Sequence, residues 1–397
     1  MRVLAITNEF PLPLDRGGPV RFFGLARALA EEHDVHLLAL SRPNTTPELV
    51  DALRSTLGGP VEVFERPPAA AGAVGAASRW VRALAGGVPP WVAAQHSPEL
   101  ESRARALAPE MDVVAVLDDF AGIYVGPLAQ FGPVVWDRSN VMGTSAAAAP
   151  AASGARNRLQ RRLTIHLSRR FERAALRGAA GVVATSDEES ERLRALYGRS
   201  ADVVVPSAVD VPPTSHEPGG ERTIGWLGSL EYEANVQGLM RFVEEGWSAL
   251  AGEGYRLLVV GGGAPPEVRE LADRPGVELL GYVERLEDVY ARLGAAVVPL
   301  WRGAGVKLKT LSFMAAGVPV VGTTVAVEGL AGEDERHFLV ADEPAELAAA
   351  IQRVVGDAEL ARRLSVQGRR LVEESYSWPA VGARFRAEVE RVASARS

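Results

Sequence analysis

Within about thirty residues the chain runs through a short apolar stretch, a glycine-rich turn, a helix-spaced segment and a second apolar stretch, at 295–299, 300–305, 306–316 and 318–321. The two apolar stretches are short and uncharged and read as buried strands. Gly317 is placed as the left-handed stop of the helix. Strand, turn, helix, strand is the unit of a parallel sheet, and it commits the chain to layers of helix on sheet. Gly303 and Gly305 let backbone N–H groups come close to a ligand. Lys307 and Lys309 fall in the first helical turn, where they oppose the helix dipole. A diphosphate at that N-terminus resolves the conflict. The other reading of the pair is two solvated surface charges.

The 397 residues are enough for two domains, each with its own core. Apolar residues make up 47% and charged residues 23%, the balance of a globular enzyme. The net charge of −7 argues against nucleic-acid binding. Without cysteine there is no disulfide, thiolate chemistry or Cys-bound zinc, which suits a reducing cytoplasm. The N-terminus is too short in its apolar run for a signal segment, and no run is long enough to span a membrane. The six histidines show no metal-ligand spacing, and no Asp-x-Asp pair stands in a metal-binding place. No metal or other cofactor is therefore expected.

The N-terminal half repeats the strand–helix alternation. Strands are expected at 3–7, 35–40, 61–64, 113–117, 134–136, 180–185 and 202–205, with helices at 20–31, 49–57, 156–177 and 187–196. In such sheets ligands gather beyond the carboxyl ends of the strands. The long loop 8–20, with Gly17 and Gly18, lies there, as do Asp118-Asp119 and Asp137-Arg138-Ser139-Asn140. Residues 67–78 are rich in Ala, Gly and Pro and read as an exposed connection. Residues 142–155 are low in complexity, lack large side chains and read as mobile. The helix 156–177 carries eight arginines. Such a helix either lies on anionic lipid or presents a solvated face; its arginines go round the wheel, which disfavours membrane contact.

Residues 211–221, dense in Pro and Gly, read as a linker. A second α/β unit follows, with strands at 223–227, 255–260, 277–280 and 295–299 and helices at 235–250, 288–292, 344–355 and 358–374. A last helix begins near Ser377.

The segment from Lys307 to Leu330 resembles the signature of the group 1 (family four) glycosyltransferases of the GT-B fold. Lys307 stands at the family's Arg and Lys309 at its Lys. Leu311, Met314, Ala315, Gly317, Pro319, Val320 and Val321 match, as do Glu328, Gly329 and Leu330. Other segments are similar too: Gly17-Gly18 to the N-terminal glycine pair, Asp137-x-x-Asn140-Val141 to an Asp-x-His-Asn-Val element, and 205–210 to the hinge. Gly228-Ser229-Leu230 with Asn235 follows one branch of the family. The departures are Ser312 for the Glu that holds the ribose, Ala304 where a second acid stands, and Ser139 for the His.

This resemblance implies two Rossmann-like, doubly wound parallel-sheet domains facing a cleft: 1–208, with the helix 377–397 packing back on it, a linker 209–221, and 222–376. It implies a retaining transfer of a sugar from a nucleoside-diphosphate-sugar donor to an acceptor hydroxyl. Gly17, Gly18, Gly303, Gly305, Lys307 and Lys309 would hold the donor phosphates, and Arg21 could add a charge. Ser312, Gly281, Tyr282 and Val283 would meet the nucleotide, with Ser229 and Glu328 elsewhere in the cleft. Asp137 and Asn140, with the two lysines, are the catalytic candidates. For the first two, capping the next helix is the alternative. A degenerate protein partnering an active transferase is the alternative for the whole chain.

Overall fold

The computed structural model describes residues 1–67, 72–143, 155–218, 220–303 and 305–395. The chain divides into two compact units. Unit 1 comprises residues 1–206 and 382–397; unit 2 comprises residues 207–381.

Unit 1 holds a parallel sheet of seven strands: β1 (Arg2–Thr7), β2 (Asp34–Leu40), β3 (Val61–Phe64), β4 (Val113–Val116), β5 (Val134–Arg138), β6 (Gly181–Ala184) and β7 (Val203–Val204). Their order is β3-β2-β1-β4-β5-β6-β7. The middle strands are buried along nearly their whole length, as strands covered by helices on both faces must be. Unit 2 repeats the plan with β8 (Thr223–Leu227), β9 (Arg256–Val260), β10 (Val277–Gly281), β11 (Ala295–Val298), β12 (Val320–Gly322) and β13 (Leu339–Val340), ordered β10-β9-β8-β11-β12-β13. Both sheets thus wind outward in one direction from their first strand and then in the other, which opens a crevice where the direction reverses. The expected pair of Rossmann-like units is what the chain forms.

Several elements depart from the sequence expectation. Residues 72–78, the end of the expected connection, belong to the helix Gly72–Gly86. Alanine favours helix, and Ala83 and Trp80 give it a face that packs with Leu163, Leu167 and Phe171. A helix at Pro98–Leu107, opened by the Ser97 hydroxyl, was not anticipated. The helix expected at 235–250 is two, Glu233–Glu245 and Trp247–Ala251. Gly246 breaks it where a Cβ would lie 2.5 Å from the Pro344 carbonyl oxygen. The first helix starts at Gly17, three residues early. The stretch expected to be mobile, 142–155, falls mostly outside the described residues.

Residues 209–218 are stitched to unit 2. Arg369 donates to the Pro212 and Ala315 carbonyls at 2.7 and 2.9 Å, and the His216 N–H donates to the Ala316 carbonyl at 2.7 Å. The final helix, Trp378–Ser394, passes into unit 1 at Gly382, where Arg386 pairs with Glu31 and Glu32.

Candidate active site

In unit 2 the winding reverses between β8 and β11. Past the end of β8 the backbone is drawn tight: the Gly228 N–H donates to the Val260 carbonyl at 3.0 Å, and the Gly261 N–H to the Gly281 carbonyl at 2.8 Å. A Cβ on Gly261 would lie 1.8 Å from the Gly228 carbonyl oxygen, so only glycine allows this approach. Past the end of β11 the chain passes Gly303 and Gly305, both with positive φ, and enters the helix Leu308–Ala315. Lys307 is its N-cap residue, and no side chain caps it. The Thr310 N–H turns back to the Lys307 carbonyl at 3.0 Å, which leaves the N–H groups of Leu308 and Lys309 for another partner. Gly317 ends the segment with a φ of 81°.

Lys309 points its ammonium at the face of Trp226, 4.8 Å from the ring centroid, and donates to Asn235 Oδ1 at 2.7 Å. Among the described residues no carboxylate pairs with it. Burial, and then the charge of Lys307, push its pKa down to about 7. Lys307 is held differently: it donates to the Gly305 carbonyl and forms an ion pair with Glu328 at 3.3 Å. Burial lowers its pKa, and Glu328 opposes that shift. Two cations thus stand at an uncapped helix start, one of them with only neutral partners. A cation in that position is stabilised by an incoming anion.

The Ser312 hydroxyl donates to the Leu308 carbonyl at 2.9 Å, one helical turn back. Ser229 accepts Asn235 Nδ2 on its backbone carbonyl at 2.8 Å. Gly281 has a φ of 69° and open space where a Cβ would be. Tyr282 beside it is 77% exposed, and Val283 packs partly against the core.

In unit 1 the reversal lies between β1 and β4. Arg42 pins the loop after β1 by donating to the Pro13 carbonyl at 3.0 Å and to Asp15. Arg66 reaches the Asn8 carbonyl at 3.1 Å. The helix Gly17–Ala30 then begins without a side-chain cap, with Gly17 exposed. Past β4, Asp119 accepts the N–H groups of Ser139 at 3.0 Å and Asn140 at 3.2 Å. Burial first, against the pull of Arg138, raises the Asp119 pKa to about 7. Asp118 is raised well above the carboxylate range by burial and then by Asp119. At the end of β5, Arg138 stacks on Trp136, 4.5 Å from the ring centroid, and pairs with the buried Glu172. Glu172 also accepts the N–H groups of Met142 and Gly143, each at 2.8 Å.

Residues 221–357 match the family model described as glycosyl transferases group 1. Within unit 2 the chain therefore carries a group 1 glycosyltransferase domain. No curated protein matches the sequence. Among solved structures, sucrose-phosphate synthase from Thermosynechococcus elongatus has 19% identity and a TM-score of 0.71 with both chains fully covered. HepE from Anabaena, in complex with UDP-glucose, has 15% identity and a TM-score of 0.67, over 98% of this chain and 99% of that one. TarM from S. aureus, in a complex that includes UDP, has 8% identity and a TM-score of 0.69, over 98% and 100%. At such identities the likeness is one of fold, the GT-B fold.

The predicted residues fall into two groups. Gly303, Gly305, Lys307, Lys309, Ser312, Ser229, Gly281, Tyr282, Val283 and Glu328 all belong to unit 2; Glu328 serves Lys307. Gly17, Gly18, Asp137 and Asn140 belong to unit 1. Asn140 is exposed, whereas Asp137 is fully buried with both oxygens taken by Arg21. Arg21 therefore brings no free charge to a phosphate. Sequence reasoning missed Asn235 and Trp226 as partners of Lys309, and Arg138 and Glu172 as the brace behind Asn140. One signal was available: of the 43 Lys and Arg residues, the two lysines are 307 and 309.

Proposed function

We propose that this protein is a glycosyltransferase that moves a sugar from a nucleoside-diphosphate-sugar to an acceptor hydroxyl, with retention at the anomeric carbon. The observation that carries the reading is Lys309, a half-buried cation with only neutral partners, at an uncapped helix start where the unit 2 sheet reverses. As the bond from the sugar carbon to the β-phosphate oxygen breaks, its electron pair leaves with the diphosphate. Charge grows on oxygens that the Lys309 ammonium and the first helical N–H groups would touch. Preorganised donors aimed at developing charge are a large source of catalysis. Lys307, tethered by Glu328, would add its charge from the other side of the turn. The residues fit a diphosphate without a metal, because the cationic donors are supplied by the protein. The UDP-glucose and UDP bound in HepE and TarM support a nucleoside diphosphate as the carrier.

The test is release of nucleoside diphosphate from a panel of UDP-, dTDP- and GDP-sugars, with and without acceptor. Product stereochemistry by NMR tests retention. A folded protein that neither binds nor turns over any of these donors would sink the proposal.

A further inference from the structure

We propose that Asn235 is the positioning residue of the donor site: its neutral side chain fixes where Lys309 holds its charge and leaves that charge unspent. This rests on reading Lys309 as a diphosphate ligand. Asn235 stands near the start of the helix Glu233–Glu245 and is buried. Its Nδ2 donates to the Ser229 carbonyl at 2.8 Å, which fixes the amide so that Oδ1 faces Lys309 Nζ at 2.7 Å. Trp226 lies on another side of the ammonium. At Gly228 a Cβ would come within 2.7 Å of Lys309 Nζ and 2.8 Å of Asn235 Nδ2, so the space they share holds no further side chain. An ammonium has three N–H donors. One goes to Asn235, and the rest remain for a ligand.

The identity of the partner matters as much as its place. The charged group that acts on Lys309 is Lys307; the acidic side chains of this region are Glu328 and Glu231. Glu328 holds Lys307, and Glu231 lies against Gly263. Neither carboxylate pairs with Lys309. An aspartate at 235 would have nearly the shape of the asparagine but would form an ion pair with Lys309. The lysine charge would then be neutralised before a phosphate arrived. The choice of lysine fits the same logic. Apart from its neighbour Lys307, this chain uses arginine for every other strong cation. Lysine is a compact charge that responds to its surroundings, whereas arginine stays charged and forks its donors. A socket that tunes a cation needs a lysine in it.

The two lysines make the test direct. In protein labelled with 13C- and 15N-lysine, two side-chain signals appear, and Lys307→Gln assigns them. Lys309 is titrated by NMR in the parent, in Asn235→Asp and in Asn235→Ala, with circular dichroism confirming the fold. UDP binding is measured by calorimetry in buffers of different protonation enthalpy. In the parent, Lys309 is expected to titrate near neutrality and UDP binding to take up protons at about pH 8. In Asn235→Asp the titration should move up by at least a unit, the proton uptake should vanish, and UDP should bind roughly tenfold more weakly or worse at about pH 6.5. In Asn235→Ala the UDP affinity should fall by a similar factor. A Lys309 titration unchanged in folded Asn235→Asp overturns the proposal. So does unchanged UDP affinity in both variants. A parent that shows the expected titration difference but binds no UDP refutes the donor reading and leaves the pairing of Asn235 with Lys309 intact.

Discussion

Arg21 grips both carboxylate oxygens of Asp137, Nε to Oδ2 at 2.8 Å and Nη2 to Oδ1 at 2.5 Å, inside unit 1. The same guanidinium donates to the backbone carbonyls of Val205 and Pro206 at 2.9 and 3.0 Å. It ties the helix Gly17–Ala30 to the end of β5 and to the last residues of the unit's main segment. A pair this deeply buried does structural work wherever the chemistry takes place.

The first prediction follows from that pair. Removing one partner leaves a buried charge uncompensated, a loss of about 3–5 kcal/mol. Arg21→Ala should lose more than Asp137→Asn, because it also strands two carbonyls. Denaturant unfolding measures both. If Asp137→Asn keeps its stability and loses only turnover, Asp137 touches substrate after all, and the structural role assigned here is wrong.

The second concerns Lys309. Its folded pKa, about 7, lies below the ordinary 10.5. Between those values the unfolded chain carries a proton at this site that the folded chain has released. Its contribution to stability therefore rises with pH across that window. Ligand-free Lys309→Met should lose this slope and melt higher at neutral pH, while UDP binding disappears. Function here would be held at some cost in stability. A Lys309→Met protein that melts lower at both pH 7 and pH 10 would contradict the assignment.

The third concerns Asp119, whose folded pKa of about 7 lies above the ordinary 3.8. The sign is opposite in kind. The folded protein binds a proton that the unfolded chain has lost, so this group's contribution is full below about pH 4 and falls as pH rises to about 7. Asp118, raised as well, couples to it, so the two titrate as a pair. Asp119→Asn keeps an acceptor for the Ser139 and Asn140 N–H groups and removes the charge. Its stability should therefore vary less than the parent's between pH 4 and 8. An unchanged profile would mean that Asp119 titrates as an ordinary surface acid.

How far the sequence carried these readings can be traced residue by residue. The strands were legible because parallel strands are apolar throughout, and the glycines and lysines of 303–309 marked a candidate anion site by type and spacing. The helix Gly72–Gly86 was not legible: its alanines and glycines mimic a linker, and its burial depends on Leu167 and Phe171, far along the chain. The pairing of Asn235 with Lys309 escaped for the same reason. It lies 74 positions from Lys309, and no local pattern marks an asparagine as the partner of a distant cation. Asp137 carried the family's spacing, but its partner Arg21 is 116 positions away, and only the fold shows that its oxygens are taken.

The last prediction concerns Ser312, which the sequence resemblance matches to a Glu expected to hold the ribose. In this structure its single hydroxyl proton is spent on the Leu308 carbonyl. Buried Tyr290, whose phenol is pushed up by burial, is a second hydrogen-bonding neighbour of Ser312. The hydroxyl oxygen can still accept one bond, whereas a carboxylate accepts from two ribose hydroxyls at once. A site strongly rejects a ligand that lacks a hydroxyl only when a buried acceptor would be left unpaired. Serine leaves no such penalty, so deoxyribose nucleotides should be tolerated. dTDP should bind within about tenfold of UDP and GDP, or better. Ser312→Glu should move the ratio toward UDP and GDP. It should do so most clearly together with Tyr290→Phe, which removes the phenol hydroxyl next to the new carboxylate. Calorimetry on the three nucleotides, in parent and variants, reads both ratios. If the parent binds UDP or GDP far more than tenfold tighter than dTDP, or if neither variant shifts the ratio, Ser312 does not choose the nucleotide. The ribose would then be read elsewhere along the carboxyl ends of β8, β9 and β10.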